Sequence, residues 1–172
     1  MYSYQVGGVN ERAVRMDTFD FRVADENDLD FIGRLSARIF SKYGTYDEIV
    51  LSWLREPEVI TVIILTGADP LGFAMLTLER EKWFEPKRAH LLAIGVFPAE
   101  QRKGIGTALL NHIEQVARSY GVEEMLLWTA VDNQQALSFF QNAGFHIVGS
   151  SKHYYPKGQA ALALAKKLGT KN

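Results

Sequence analysis

Two glycines, Gly104 and Gly106, stand between a buried apolar segment (residues 91–97) and the clearest helical pattern of the chain. A helix that opens directly from a glycine-bearing turn presents unpaired backbone N–H groups and the positive end of its dipole at one point. Side chains that add charge or hydrogen bonds stand beside the glycines, at Arg102, Lys103 and Thr107. The combination predicts a binding site for phosphate groups. A helix start with no ligand is equally compatible with the two glycines alone.

Two common nucleotide motifs are absent from this segment. The dinucleotide fingerprint needs a glycine three positions after Gly106, where this chain has Leu109. The P-loop needs a Gly-Lys-Ser/Thr tripeptide, which does not occur in the chain. We therefore expect a phosphate-bearing ligand other than a nicotinamide dinucleotide or a nucleoside triphosphate.

Strand patterns must position this turn. β-Branched and apolar runs predict strands over residues 19–23, 59–65, 71–78, 91–96 and 125–129. The turn residues 66–70 join the second and third of these strands into an antiparallel hairpin. Residues 160–168 fit a helix by composition and a strand by the alternation of Leu162 and Leu164.

Helix patterns alternate with these strands. Apolar residues at helical spacing predict helices that begin near residues 28, 45, 105 and 133. Start signals precede the first helix at Asp25, Asn27 and Asp28, and Thr45 with Glu48 predicts a capping box for the second. The order of elements indicates one mixed α/β domain.

The composition fits a single domain with its own core. The chain has 172 residues, of which 47% are hydrophobic, and this is enough apolar mass to bury a core. We expect the domain to span residues 16–172, after a flexible extension over residues 1–15. The charged segment 79–88 is predicted to be a loop, in which Trp83 and Phe84 either fold onto the core or bind a ligand.

Charge and cysteine content exclude several function classes. The net charge of −1 gives no field that would attract nucleic acid or an anionic membrane. The absence of cysteine excludes disulfides, thiolate zinc sites and a cysteine nucleophile, and no two of the four histidines have the spacing of a helical metal pair. We therefore expect no metal, no nucleic acid and no membrane partner. Without a signal-peptide pattern or a membrane-length apolar run, the sequence predicts a cytoplasmic protein.

Two blocks of the sequence resemble the acetyl-coenzyme A motifs of the GNAT N-acetyltransferases. The first is Val96-x-Pro98 followed by Gln101-x-x-Gly104-x-Gly106, and the second is Asn133-x-x-Ala136-x-x-Phe139-Phe140-x-x-x-Gly144-Phe145. The resemblance covers about residues 19–168. It implies a mixed, mostly antiparallel sheet of six or seven strands with about four flanking helices. It also implies a splay between the strands at residues 91–96 and 125–129, and a strand at residues 160–168.

The resemblance also implies a cosubstrate, acetyl-coenzyme A, and residues that bind it. Backbone groups of Ile94, Gly95 and Val96 would hold the pantetheine arm and polarise the thioester. The turn and helix start would hold the pyrophosphate through Gln101, Arg102, Lys103, Gly104, Ile105, Gly106 and Thr107. Asn133 would contact the pantetheine or its thiol end, and its place before a helix is equally typical of an N-cap.

One family feature is missing at Phe140, which borders the cofactor in this pattern. Many members have a tyrosine at this place that protonates the departing thiolate, and phenylalanine has no hydroxyl to do so. The segment 152–158 contains Tyr154-Tyr155-Pro156 and resembles a loop of ribosomal-protein N-terminal alanine acetyltransferases, which acetylate a protein α-amine. Tyr154 or Tyr155 is therefore the candidate proton donor, unless both tyrosines only pack beneath the loop.

A general base has no inherited candidate. Gln159 and Ala160 stand where the alanine acetyltransferases typically have acidic residues. Water is the default proton relay, because an α-amine with a pKa near 8 is partly neutral at working pH. Weaker candidates near the expected cleft are Glu79, Glu81, His90 and His112, with a minor one at His153.

The sequence thus predicts an acetyl-coenzyme A-dependent N-acetyltransferase that transfers an acetyl group directly to a primary amine. The acceptor is a protein or peptide N-terminus or, alternatively, a small-molecule amine. Because Phe140 and the missing base leave the chemistry without its usual groups, a non-catalytic sensor of coenzyme A is a further alternative. Apolar strand edges are compatible with a homodimer.

Overall fold

The computed structural model describes residues 19–79 and 88–169. The expected N-terminal extension over residues 1–15, together with Glu81, Trp83 and Phe84, lies outside the described residues. The helices of the described part are α1 (Leu29–Phe40), α2 (Tyr46–Leu54), α3 (Ile105–Ser119) and α4 (Gln134–Asn142). Its strands are β1 (Asp20–Val23), β2 (Val59–Thr66), β3 (Asp69–Glu79), β4 (Arg88–Val96), β5 (Glu124–Ala130), β6 (His146–Ser151) and β7 (Ala161–Lys167).

These strands form one sheet in the order β1-β2-β3-β4-β5-β7-β6. Every neighbouring pair is antiparallel except β4 and β5, which are parallel. The parallel pairing extends only from Arg88 opposite Glu124 to Leu91 opposite Leu127, after which the two strands separate. The expected mixed, mostly antiparallel sheet with a central splay is therefore confirmed.

A β-bulge on β4 lies where the splay begins. Met75 of β3 pairs with Ala93, whereas the next residue, Leu76, pairs with Leu91, so Leu92 is the extra residue. A bulge bends its strand and increases the local twist. The bulge thus accompanies the departure of β4 from β5 at the position where their pairing stops.

Ion pairs surround the closed end of the splay. The Glu124 carboxylate of β5 lies 3.0 Å from Arg88 Nε of β4 and 3.2 Å from Lys167 Nζ of β7. Glu114 of α3 is buried and lies 2.6 Å from Lys166 Nζ of β7. These contacts connect both halves of the sheet and one covering helix at the end opposite the separated strands.

The core has a cluster on each face of the sheet. On one face, α3 packs Leu109 and Ile113 against apolar side chains that include Leu76 and Leu127. On the other face, α1 and α2 pack against the first half of the sheet, and their buried residues include Ile32, Leu35 and Val50. The separated ends of β4 and β5 lie between the two clusters. The helices leave them uncovered, so a ligand can reach them.

Two local predictions differ from the structure. Thr45 precedes α2, but its side chain makes no cap hydrogen bond, so the predicted capping box with Glu48 is wrong. A capping box forms instead at the first helix start, where Asp28 Oδ2 accepts from the Asp25 N–H at 2.9 Å and Asp25 Oδ1 accepts from the Asn27 N–H at 2.8 Å. The strand β6 was not expected from the sequence. It is an exposed edge strand with a bulge and lacks the alternating burial that a strand prediction relies on.

Candidate active site

A cleft of about 500 Å³ opens at the N-terminal end of α3. Its walls come from the end of β4, the turn before α3, the first turns of α3 and α4, and the end of α1. The predicted cofactor-binding residues that border it are Ile94, Gly95, Val96, Gln101, Arg102, Gly104, Gly106, Thr107, Asn133 and Phe140. The fold therefore brings both sequence blocks to a single concave surface of small-molecule size.

The turn before α3 has the backbone geometry of a ligand-binding loop. Arg102 holds a φ of 63° and Gly104 a φ of 81°. The left-handed conformation costs a residue with a side chain about 1 kcal/mol, whereas glycine adopts it freely. A Cβ on Gly104 would have no atom within 4 Å, so the residue borders open space. Because the first turn of α3 also presents unpaired N–H groups, the turn fits a phosphate-bearing ligand.

Two amide side chains fix the walls of the cleft. Gln101 Nε2 donates to the Val96 carbonyl at 3.1 Å, and Gln101 Oε1 accepts from Gln135 Nε2 at 3.3 Å, so Gln101 ties the turn to β4 and α4. Asn133 Oδ1 accepts from the Ala136 N–H at 3.2 Å and therefore caps α4. The same residue borders the cleft, so both roles considered for Asn133 are compatible with its position.

Two predicted cofactor-binding residues do not border the cleft. Lys103 Nζ pairs with Glu100 on the surface at 2.9 Å. The Ile105 side chain is buried in the core, which leaves only its backbone N–H for a ligand. Lys42, just after α1, does border the cleft, and no local sequence pattern indicated it. The lining also includes Ile39, Phe40, Gln135, Ala136 and Phe139.

A second, smaller cavity of about 70 Å³ lies where β4 and β5 separate. It adjoins the cleft, because the two share Phe40, Ile94, Asn133, Ala136 and Phe140. The rest of its lining comes from the bulged part of β4, the end of β5, Tyr43 and Tyr46 near the start of α2, and Tyr155 of the β6–β7 loop. A group that extends from the cleft towards the splay would enter this cavity.

Four aromatic side chains form what we call the tyrosine cluster: Tyr43, Tyr46 and Tyr155, which border this cavity, and Tyr154, which contacts Tyr155. The Tyr155 ring stacks on Tyr43 with centroids 4.6 Å apart and meets Tyr46 and Tyr154 edge-on at 5.3 and 5.0 Å. The Tyr46 hydroxyl lies 3.4 Å from the Leu92 carbonyl, to which it donates. The buried Tyr43 hydroxyl has no hydrogen-bond partner among the described residues.

The two predicted proton donors occupy different places. Tyr155 is buried and borders the second cavity. Tyr154 borders neither cavity and stacks on Trp128 with centroids 4.8 Å apart. Of these two tyrosines, only Tyr155 therefore borders the cavity at the splay.

Burial raises the pKa of Tyr155 and of Tyr46 well above the ordinary phenol value, and neighbouring phenols raise both further. Burial also raises the pKa of Tyr154. These hydroxyls consequently keep their protons at neutral pH. Tyr46, Tyr154 and Tyr155 are therefore hydrogen-bond donors and not phenolates that would act as bases.

Of the candidate bases that the structure describes, Glu79, His90, His112 and His153 border neither cavity. The His112 ring is stacked on Phe21 with centroids 4.1 Å apart, and burial lowers the His112 pKa. His90 Nε2 lies 3.4 Å from Glu79 Oε2 across β3 and β4. Neither lining, among the residues that the structure describes, contains a histidine or a carboxylate. Proton removal there would rely on water or on a group outside the described lining.

Within residues 19–79 and 88–169, no three His, Asp or Glu side chains are grouped as a metal ion would require. No helix of the described part is long and apolar enough to cross a membrane.

Comparison with known families agrees with this architecture. Residues 23–145 match the model of the acetyltransferase (GNAT) family, and this segment is more than half of the chain. The protein therefore belongs to the GNAT family and is an N-acetyltransferase by family. The resemblance inferred from the two sequence blocks is confirmed.

Several known proteins are similar to this chain in sequence or in fold. An N-alpha-acetyltransferase of Sulfolobus acidocaldarius is 26% identical over 93% of this chain and 99% of that protein. One of Sulfurisphaera tokodaii is 35% identical over 67% of this chain and 73% of that protein. The ribosomal-protein-S18-alanine N-acetyltransferase of Escherichia coli superposes with a TM-score of 0.75 at 20% identity, over 90% of this chain and 97% of that one, which shows a shared fold.

Proposed function

We propose that this protein transfers the acetyl group of acetyl-coenzyme A to the α-amine of a protein or peptide. The observation that carries the proposal is the continuity of the cleft at the α3 N-terminus with the cavity at the splay, through five shared residues. This continuity supports a donor bound along β4 with its reactive end between β4 and β5. Bound acetyl-coenzyme A would supply an activated acyl group as a thioester.

The cleft residues hold the donor in this proposal. Backbone N–H groups at the start of α3, with Arg102 and Lys42 nearby, neutralise and orient the pyrophosphate. The backbone of Ile94, Gly95 and Val96 runs beside the pantetheine arm and offers a donor to the thioester carbonyl as it gains negative charge. Asn133 holds the start of α4 at the junction of the two cavities.

The chemical step needs little from ionisable side chains. It forms an amide N–C bond, breaks the thioester C–S bond and moves one proton from the amine to the departing thiolate. A neutral α-amine attacks without a strong base, and water carries its proton away. Tyr155, held protonated by burial, donates a hydrogen bond to the sulfur as the C–S bond breaks.

The lining favours an α-amine over a polycationic amine. The described lining of the two cavities has no carboxylate, whereas Arg102 and Lys42 give the cleft positive charge. A polyamine or aminoglycoside would find no counter-charge at the site. A peptide N-terminus carries a single amine, which reacts in its neutral form and needs no such counter-charge. The N-alpha-acetyltransferase relatives support the same class.

Thiol release from acetyl-coenzyme A, followed with a thiol-reactive dye, tests this function. The protein has no cysteine and adds no background. We expect release with peptides and none with polyamines, free amino acids or aminoglycosides, and mass spectrometry should place the new acetyl group on the peptide N-terminus. Release only with small amines would contradict the acceptor class. Tight binding of acetyl-coenzyme A without turnover on any acceptor would favour a sensor, for which the missing hydroxyl at Phe140 is the supporting observation.

A further inference from the structure

The cavity at the splay has the size of a very small ligand group. Its volume is about 70 Å³. An apolar cavity of about 150 Å³ in another protein holds benzene, which has six heavy atoms. By this comparison the cavity accommodates about three heavy atoms, the size of an acetyl group.

One side of the cavity is formed by the stacked rings of Tyr43 and Tyr155. Both side chains are almost fully buried, with 4% and 7% of their surfaces exposed, and both border the cavity without bordering the cleft. The remaining lining beyond the cleft consists of strand residues of β4 and β5, together with Tyr46. A longer group that continued from the cleft towards the ring stack would therefore meet the aromatic rings or a strand.

The segments that carry the two rings are held together. Gln159 Nε2 donates to the Lys42 carbonyl at 2.9 Å, which joins the β6–β7 loop to the segment between α1 and α2. Gly44 approaches Pro156 so closely that a Cβ on Gly44 would lie 2.9 Å from the proline Cβ. Because Lys42 and Gly44, on either side of Tyr43 in the chain, both contact the β6–β7 loop, moving Tyr43 away from Tyr155 would break several contacts at once.

We propose that this cavity is an acyl pocket and that the Tyr43–Tyr155 stack limits its length, so that the enzyme accepts acetyl donors and rejects butyryl and longer ones. The inference rests on the proposed acetyl transfer and adds a residue that sets donor specificity. Tyr43 acts through the volume of its ring. Overfilling a closely packed site forces side chains out of their preferred positions, which penalises each added methylene.

Equilibrium binding of a donor series tests the pocket without any acceptor. Titration calorimetry with coenzyme A, acetyl-, propionyl- and butyryl-coenzyme A should show butyryl-coenzyme A at least about tenfold weaker than acetyl-coenzyme A. Tyr43→Ala removes the ring and should bring the two affinities within about threefold of each other. Tyr43→Phe keeps the ring without the hydroxyl, so its ratio of affinities should match the wild type.

Two results would overturn the inference. The first is equal binding of acetyl- and butyryl-coenzyme A by the wild-type protein. The second is an unchanged ratio in a Tyr43→Ala variant that still binds coenzyme A. Tyr43→Leu, a milder shortening measured alongside, provides the same comparison if Tyr43→Ala does not fold. Failure of the wild-type protein to bind coenzyme A would instead remove the proposed function itself.

Discussion

Gly72 of β3 lies directly against the carbonyl group of Gly95 on β4. A Cβ on Gly72 would fall inside the contact distance of the Gly95 carbonyl oxygen and 3.3 Å from the Val96 Cα. Backbone atoms cannot swing aside as a side chain does. The absence of a side chain at Gly72 therefore permits the position of the β4 segment that borders the cofactor cleft.

Gly72→Ala should consequently disturb both stability and cofactor binding. We expect a loss of about 2 kcal/mol in the free energy of unfolding, the range seen when a packed site is overfilled. Displacement of Gly95 and Val96 should also weaken coenzyme A binding. Denaturant unfolding and calorimetry measure the two effects. Gly149→Ala is the matched control in a strand, because its Cβ would lie at an ordinary 3.8 Å from Ala163 Cβ. Equal stability of the two variants would contradict the steric argument.

The phosphate assignment can be tested at one glycine with a control on the same helix. Gly104 before α3 and Gly121 after it have φ values of 81° and 79°, and a Cβ on either would have no atom within 4 Å. Valine at either position should cost a similar 1–2 kcal/mol or so of stability. Only Gly104→Val should weaken coenzyme A binding, by at least about tenfold, because its side chain would stand among the N–H groups that hold phosphate. Similar affinities in the two variants would refute the site.

Single substitutions should distinguish the roles of Tyr154 and Tyr155. Tyr155→Phe removes a donor in the cavity at the splay and should lower kcat by about 10–100-fold, while acetyl-coenzyme A affinity stays the same. Tyr154→Phe keeps the ring that stacks on Trp128 and should leave kcat within about twofold. Steady-state kinetics with calorimetry of the donor checks both. The reverse order of effects would transfer the donor role to Tyr154.

Acid should weaken the fold through Asp28. The Arg22 guanidinium donates to both Asp28 oxygens at 2.6 and 2.8 Å and holds the Asp28 pKa below its usual 3.8, despite the opposing effect of burial. A lowered folded-state pKa stabilises the protein above the unfolded-state pKa, and this stabilisation is lost as the pH falls through the folded value. The free energy of unfolding of Asp28→Asn should therefore fall furthest below that of the wild type above about pH 4. The difference should shrink in more acidic solution.

Urea unfolding at a series of pH values measures this difference. Asp30→Asn is the control, since Asp30 forms an exposed pair with Arg34 on the same helix, and such pairs contribute little. If the difference in free energy of unfolding between the wild type and Asp28→Asn stayed constant from neutral to acidic pH, protonation of the Asp28 carboxylate would not be what weakens the fold.

The cofactor cleft was more predictable from the sequence than the second cavity. Gly104, Gly106 and Asn133 lie at helix starts, where a few adjacent residues determine the backbone geometry and the groups it exposes. Tyr43 and Lys42 had no comparable signal. They reach the site because α1 ends beside the splay, and this position depends on packing across the whole first half of the sheet.

Pairing with neighbouring strands also determines the secondary structure of a segment whose local sequence fits both a helix and a strand. The alanine- and leucine-rich segment 160–168 favours helix by propensity, yet residues 161–167 pair with β5 on one side and β6 on the other. Two sets of inter-strand hydrogen bonds outweigh a preference of a few tenths of a kcal/mol per residue. Ile105 belongs to two patterns: the motif indicated a backbone contact to phosphate, and the helical spacing of apolar residues indicated that its side chain enters the core, as it does.

The short pairing of β4 with β5 gives the domain a pivot. Contacts of Glu124 and Glu114 hold the strands and α3 together at one end, so a small rotation between the two halves of the sheet displaces atoms least at that end. Displacement in such a rotation grows along the strands towards Val96, which borders the cleft, and Thr129, which borders the cavity at the splay. The rotation would therefore change the width of the ligand sites more than that of the closed end, and a bound ligand that bridges β4 and β5 would oppose it where the displacement is largest.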